Sequence, residues 1–285
     1  MRAESLPSAV AAALADAPAG QRVSVDAANI PWSAMTWGDP GARPLLLIHG
    51  VTASSATWWR VGPALAATGR HVLAVDLPGH GRTGHWQGHV RFRDNAADVA
   101  AFAAAVGIAR SDLQVVGHSW GAVTTAALPV AGLRPATLVL LDPPVLSQAT
   151  IALEAADPQS RTFDDLDEAR RVVGAANPGW HPRDIEAKAE ALTQLDESAA
   201  RAVLVDNGDW DGGLADLRDP AAAGTELWIV RGDPAAGGYL PDDAVPDFEA
   251  LAGAGHVITI ADGPHSPQRT HPVETTAAIL RALGG

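Results

Sequence analysis

The chain has 285 residues, of which 47% are hydrophobic and 19% charged, the balance of an ordinary globular protein rather than a disordered one. It contains no cysteine, which excludes a disulfide framework, a thiolate nucleophile and a cysteine-ligated metal. Its formal charge of −13, from 20 basic and 33 acidic residues, repels phosphate backbones and anionic bilayers and argues against nucleic-acid and membrane partners.

In chain order, the first segment reads as an amphipathic helix presenting Leu6, Val10 and Leu14. Glu4 and the weak apolar run behind it argue against a signal peptide, so a cytoplasmic location is expected. Residues 22–37 read as two strands joined near Asn29. Short apolar strands follow at 44–50, 71–79, 113–119, 136–144, 225–232 and 256–263, and helices are expected at 56–68, 94–107, 120–131 and 267–283. Apolar strands alternating with helices predict an α/β fold with a mostly parallel sheet covered on both faces.

Between Asp142 and Thr225 no strand-like run occurs, and the helical segments 164–174 and 183–204 fill the interval. That is longer than one crossover requires. It reads as a helical cap, 143–224, inserted after the sixth strand at the carboxyl end of the sheet, with a core domain built from 1–142 and 225–285.

The strongest chemical signal is Gly117-His118-Ser119-Trp120-Gly121, between a buried strand and a helix. A serine on so sharp a turn is raised out of both elements, and its neighbours must be small where the chain doubles back. The turn also faces a helix N-terminus, where N–H groups favour negative charge. A serine needs a base, and His265, in Gly263-Pro264-His265-Ser266-Pro267 just past the last strand, is the best placed. His256 starts that strand at the opposite end, and His271 falls in the first turns of the last helix.

The Ser-acid-His order, with LLLIHG, VDLPGHGRTG, VGHSWG and the terminal GPHSP, resembles the α/β-hydrolase superfamily over about residues 22–283. The resemblance implies an eight-stranded sheet of order 1-2-4-3-5-6-7-8. It also implies that His49-Gly50-Val51 follows the third strand, and that the N–H groups of Val51 and Trp120 form an oxyanion hole. Many members carry the acid of the catalytic triad three residues beyond a glycine after strand seven, where this chain has Ala235. A subset carries it after strand six, where Asp142 stands. Asp142 is the preferred acid and Asp233 the alternative, the other being left to cap a loop or helix.

Gly79 to Gly84 spell a dinucleotide-binding pattern, but after the fourth strand and with no helix opening on it, so they read as a tight loop beside the site. His85 and His89 have metal-ligand spacing, yet Trp86 occupies the position of the expected glutamate; no metal or cofactor is expected. Trp59, Trp180 and Trp210, with Gly50 and Tyr239, are candidates for a substrate pocket. Together these features predict a serine hydrolase cleaving a carboxylic ester or lactone of a fairly apolar small molecule through an acyl-enzyme. Carbon–carbon or thioester hydrolysis on the same triad, or a binding protein with vestigial hydrolysis, are the alternatives; the oligomeric state is left open.

Overall fold

The computed structural model describes residues 6–84, 91–157 and 160–284; Glu4, His85, Trp86 and His89 lie outside them. Helix α1 (Ser8–Asp16) is followed by the hairpin β1 (Gln21–Ala27) and β2 (Ile30–Trp37). Ala28 and Asn29 between them both have positive φ, 51° and 62°, the handedness that a two-residue hairpin needs to match strand twist.

Parallel strands β3 (Arg43–Ile48), β4 (Arg70–Val75), β5 (Gln114–His118) and β6 (Thr137–Leu141) alternate with α2 (Val61–Ala66), α3 (Phe92–Ala105) and α4 (Trp120–Ala127). After the interval described below come β9 (Glu226–Arg231), α10 (Val245–Ala252), β10 (Val257–Thr259), α11 (Pro267–Thr270) and α12 (Pro272–Ala282). Eight strands form one sheet in the order β1-β2-β4-β3-β5-β6-β9-β10. It is antiparallel at β1-β2-β4 and parallel elsewhere, an α/β-hydrolase fold with the order expected.

The apolar runs are continuous because both faces of the sheet are covered. Successive side chains leave a strand on opposite sides. Leu46, Ile48, Val115, Leu138, Leu140 and Ile229 therefore pack with Val99, Phe102 and Val123 of α3 and α4. Leu45, Leu47, Val116, Val139 and Val230 pack on the other face with Val10, Leu14, Leu65 and Ile279 of α1, α2 and α12.

Residues 143–224 hold α5 (Gln148–Ala156), α6 (Leu166–Ala176), α7 (Pro182–Thr193), α8 (Glu197–Asp206) and α9 (Leu214–Leu217). One expectation needs correction here. Two strands do occur, β7 (Val145–Leu146) and β8 (Trp210–Asp211), paired antiparallel. At two residues each they are too short to leave an alternating pattern.

Two predicted helices are also divided. The 183–204 segment breaks before Asp196, whose N–H donates to the Gly79 carbonyl at 2.8 Å and whose side chain accepts from Ser198 and Ala199 to start α8. The 267–283 segment breaks at His271 (φ −126°, ψ 55°), since Pro272 disfavours helical geometry in the residue before it. Among the described residues no helix is long and apolar enough to cross a membrane.

Asp196 thus both caps α8 and ties residues 143–224 to the loop after β4. Asp196→Ala is expected to cost about 1 kcal/mol and to lower the melting temperature by a few degrees, measured by calorimetry.

Candidate active site

Ser119 alone separates β5 from α4. Its backbone is held at φ 58°, ψ −125°, a region that non-glycine residues enter only under constraint from their surroundings. The constraint is visible on both sides: its N–H donates to Leu141 O at 3.0 Å and its carbonyl accepts from Ala122 N at 2.8 Å. The flanking glycines are sterically required. A Cβ on Gly117 would lie 2.1 Å from the Gly121 carbonyl oxygen, and one on Gly121 would lie 2.5 Å from the His49 carbonyl oxygen.

His265 arrives on the loop between β10 and α11, with its Nε2 2.9 Å from Ser119 Oγ. Its Nδ1 is 2.6 Å from Asp142 Oδ2. A carboxylate can only accept, so Nδ1 carries the proton and the Nε2 lone pair faces the serine hydroxyl. The His265 backbone is held as well, because His118 Nε2 donates to its carbonyl oxygen at 2.8 Å. Burial keeps the His118 ring well below the usual imidazole range, and the nearby His265 ring adds to this.

Asp142 leaves β6 with φ 46° and is fully buried. A carboxylate there is tolerable only if its lone pairs are satisfied. Gly232 N donates to Oδ1 and Tyr239 N to Oδ2, each at 2.9 Å, and the imidazole is a third donor. Asp233 is turned away; its side chain accepts from Ala235 N at 2.9 Å and caps the short turn there. The structure therefore brings Ser119, His265 and Asp142 into one hydrogen-bonded chain and leaves Asp233 outside it.

The loop after β3 is held by its carbonyls. His49 accepts from Leu77 N at Nε2, so its Nδ1–H donates to Gly50 O at 2.8 Å. Burial, reinforced by His80, pulls this ring down to about 3, which keeps it neutral. Ala53 N also donates to Gly50 O, and His80 sets its Nε2 against Val51 O. In a trans peptide the N–H points opposite the preceding C=O, so fixing Gly50 O turns Val51 N–H the other way. Trp120 is the first residue of α4, a position whose N–H has no acceptor within the helix. Asp76, at the end of β4, supports the same region by accepting from Ser55 N at 2.7 Å. Gly81 sits against it, where a Cβ would meet the carboxylate at 2.5 Å. The 79–84 loop, closed by Gly79 N donating to Gly84 O, thus folds over Asp76.

A cavity of about 130 Å³ opens on Ser119, roughly the room a benzene ring fills. Gly50, Val51, Trp180, Trp210 and Tyr239 line it. The Tyr239 ring stacks on His265 with centroids 3.9 Å apart. Trp59 does not line it, which corrects its assignment to the pocket. Its Nε1 donates to Asp184 at 2.8 Å, and the guanidinium groups of Arg60 and Arg183 lie 4.7 and 4.1 Å from its ring. That pairing holds Trp59 at the junction with α7.

Sequence reasoning missed Lys188 and Arg269, both buried and both lining the cavity. One signal was available for the first: of the 20 basic residues 19 are arginine, and Lys188 is the chain's single lysine. Arg269 gave none, because its position depends on where α11 packs.

A parallel sheet with a serine raised at the end of its central strand, facing an imidazole–carboxylate pair, defines a hydrolase of the nucleophile-elbow class. The chain belongs to the alpha/beta hydrolase family, whose model matches residues 45–279, and it is a hydrolase of that superfamily. It is 29% identical over 267 residues to lipase LipV of Mycobacterium tuberculosis, covering 87% of this chain and 96% of that one. It is 28% identical to the pimeloyl-[acyl-carrier protein] methyl ester esterase of Edwardsiella ictaluri, covering 89% and 98%. The thioesterase domain from the curacin biosynthetic pathway superposes with a TM-score of 0.72 at 22% identity, over 92% of this chain and all of that one, a likeness of fold alone.

From the position of the two carboxylates, Asp142→Asn is expected to lower kcat on an activated ester by about 10⁴-fold. Asp233→Asn is expected to change it less than threefold. Steady-state kinetics of the two purified variants decide, and the reverse ranking would displace Asp142.

Proposed function

We propose that this protein hydrolyses carboxylic esters or lactones of small molecules through an acyl-enzyme on Ser119. The observation that carries the reading is the 2.9 Å contact between Ser119 Oγ and an imidazole nitrogen whose ring partner is committed to a buried carboxylate.

His265 Nε2 takes the hydroxyl proton as Ser119 Oγ attacks the acyl carbon, and Asp142 steadies the imidazolium that forms. The carbonyl oxygen becomes an oxyanion that accepts from the N–H groups of Val51 and Trp120, each worth about 3–4 kcal/mol in the transition state. Collapse expels the alkoxide, which receives its proton from His265. In the second half, water gives a proton to the same nitrogen, attacks the acyl carbon, and Ser119 leaves with the proton returned. In this reading residues 143–224 are a cap that walls the acyl group from solvent. Ile151, Leu204 and Trp210, all from that interval, supply its apolar surface.

Ester chemistry is favoured over thioester or carbon–carbon cleavage because a relative aligned over nearly its whole length is named for methyl ester hydrolysis. The small cavity favours short acyl groups.

A fluorophosphonate probe is expected to label the wild type and not Ser119→Ala; absence of labelling on folded protein would favour a binding role instead. Across p-nitrophenyl esters, kcat/KM is expected to peak between acetate and butyrate. A fall of at least 100-fold by dodecanoate is expected, and a profile rising toward long chains would contradict the small cavity.

A further inference from the structure

The cavity beside Ser119 holds two cationic side chains that the proposed chemistry does not use. Lys188, on α7, and Arg269, on α11, are 7% and 6% exposed, and both line the cavity together with Ser119 and His265. Charged groups are seldom buried so completely unless paired, and among the described residues neither has a carboxylate bonded to it.

Lys188 Nζ donates to the Thr52 carbonyl at 3.0 Å and to the Thr52 hydroxyl. Arg269 donates Nη2 to Thr57 Oγ1 at 3.2 Å and lies 4.4 Å above the Trp180 ring. Its Nε and Nη1 are buried and have no hydrogen-bond partner among the described residues. Leaving such a donor unsatisfied costs about 1–3 kcal/mol, and more when it is charged.

The neighbouring acids are engaged elsewhere. Asp184, whose charge favours the protonated Arg269, accepts from Trp59 Nε1 and Arg60 Nη2. Glu154, the one acid among the described lining residues, interacts with the Tyr239 hydroxyl. The Asp157 charge favours the protonated form of Lys188. Burial, with Arg269 adding repulsion, pulls Lys188 down to about 7, and burial pulls Arg269 down to about 10. Two neighbouring buried cationic groups, with Arg269 opposing the charge of Lys188, are the arrangement an incoming anion relieves.

We propose that Lys188 and Arg269 form a carboxylate-recognition site, and that the substrate is a short ester or lactone carrying a carboxylate a few bonds from its scissile carbonyl. Arg269 keeps two N–H groups, at Nε and Nη1, without a hydrogen-bond partner among the described residues, and a carboxylate is the acceptor that a guanidinium binds most strongly. Lys188 adds a point charge. The spacer is short because the cavity that all of these residues line is small, about 130 Å³. This deepens the serine-hydrolase reading and rests on it for the reacting centre, while the anion site is testable by itself.

The first experiment compares monomethyl succinate with its neutral isostere methyl 4-methylpentanoate, in which an isopropyl group replaces the carboxylate. The wild type is expected to favour the anion in kcat/KM by at least tenfold, chiefly through KM. Arg269→Met and Lys188→Met should each cut that ratio by tenfold or more, and Arg269→Lys should restore part of it. A variant that merely loses folding or the Thr52 contact slows both esters alike and leaves the ratio unchanged, so a fall in the ratio reports loss of the charge.

The second experiment is calorimetric titration of succinate into Ser119→Ala, which needs no turnover. Binding that disappears in Ser119→Ala/Arg269→Met supports the site. No binding, binding that survives that change, or equal wild-type use of the two esters overturns it. Failure of fluorophosphonate labelling with succinate binding intact would instead remove the serine chemistry and leave the anion site standing.

Discussion

The arrangement around Ser119 depends on one buried carboxylate. Asp142 is fully enclosed at the end of a strand of aliphatic residues, where an ionised group is costly unless every lone pair finds a donor. Two backbone N–H groups from the segment after β9 and one imidazole meet that demand. Because a carboxylate accepts and never donates, the tautomer of His265 follows, and with it the direction in which the ring presents its free nitrogen. The donors Gly232 and Tyr239 lie about ninety residues away in sequence, so this interaction also fastens the second half of the sheet to the first.

A comparable logic governs the loop opposite. His49, Ala53, His80 and Lys188 all address carbonyl groups of residues 50–52. A peptide group whose oxygen is bound from behind has its hydrogen turned to the front. The fold thus orients N–H groups without flexible side chains, and in the proposed acyl-enzyme chemistry donors fixed before reaction need little reorganisation when charge develops. Lys188 also lines the cavity, so one side chain on α7 both holds Thr52 and borders the space beside Ser119.

Most of the sheet was legible because its strands are buried on both faces, which makes them unbroken apolar runs such as Leu45–Ile48 and Leu138–Leu141. The elbow was legible for a related reason: glycines at 117 and 121 sit where any side chain would strike backbone, so sterics write themselves into sequence. The ladder of Val145–Leu146 with Trp210–Asp211 was not legible, because a two-residue strand has no period. Trp59 misled for a different reason. An aromatic near a reactive loop can turn either way, and here a hydrogen bond to Asp184 and two flanking guanidinium groups turned it from the cavity to the junction with α7.

Taken alone, the chain's residue order determined the alternation of elements, the turn that raises Ser119 and the candidates for its partners, since each rests on local sterics or on the periodicity of burial. Which carboxylate reaches His265 was a tertiary decision. Asp142 and Asp233 both end apolar strands, and only the packing of residues 230–239 against β6 shows that one is ringed by donors while the other caps its own turn. The convergence of Lys188 and Arg269 is of the same kind. Eighty-one positions separate them, and no local rule relates two cations that meet only when α7 and α11 close over one cavity.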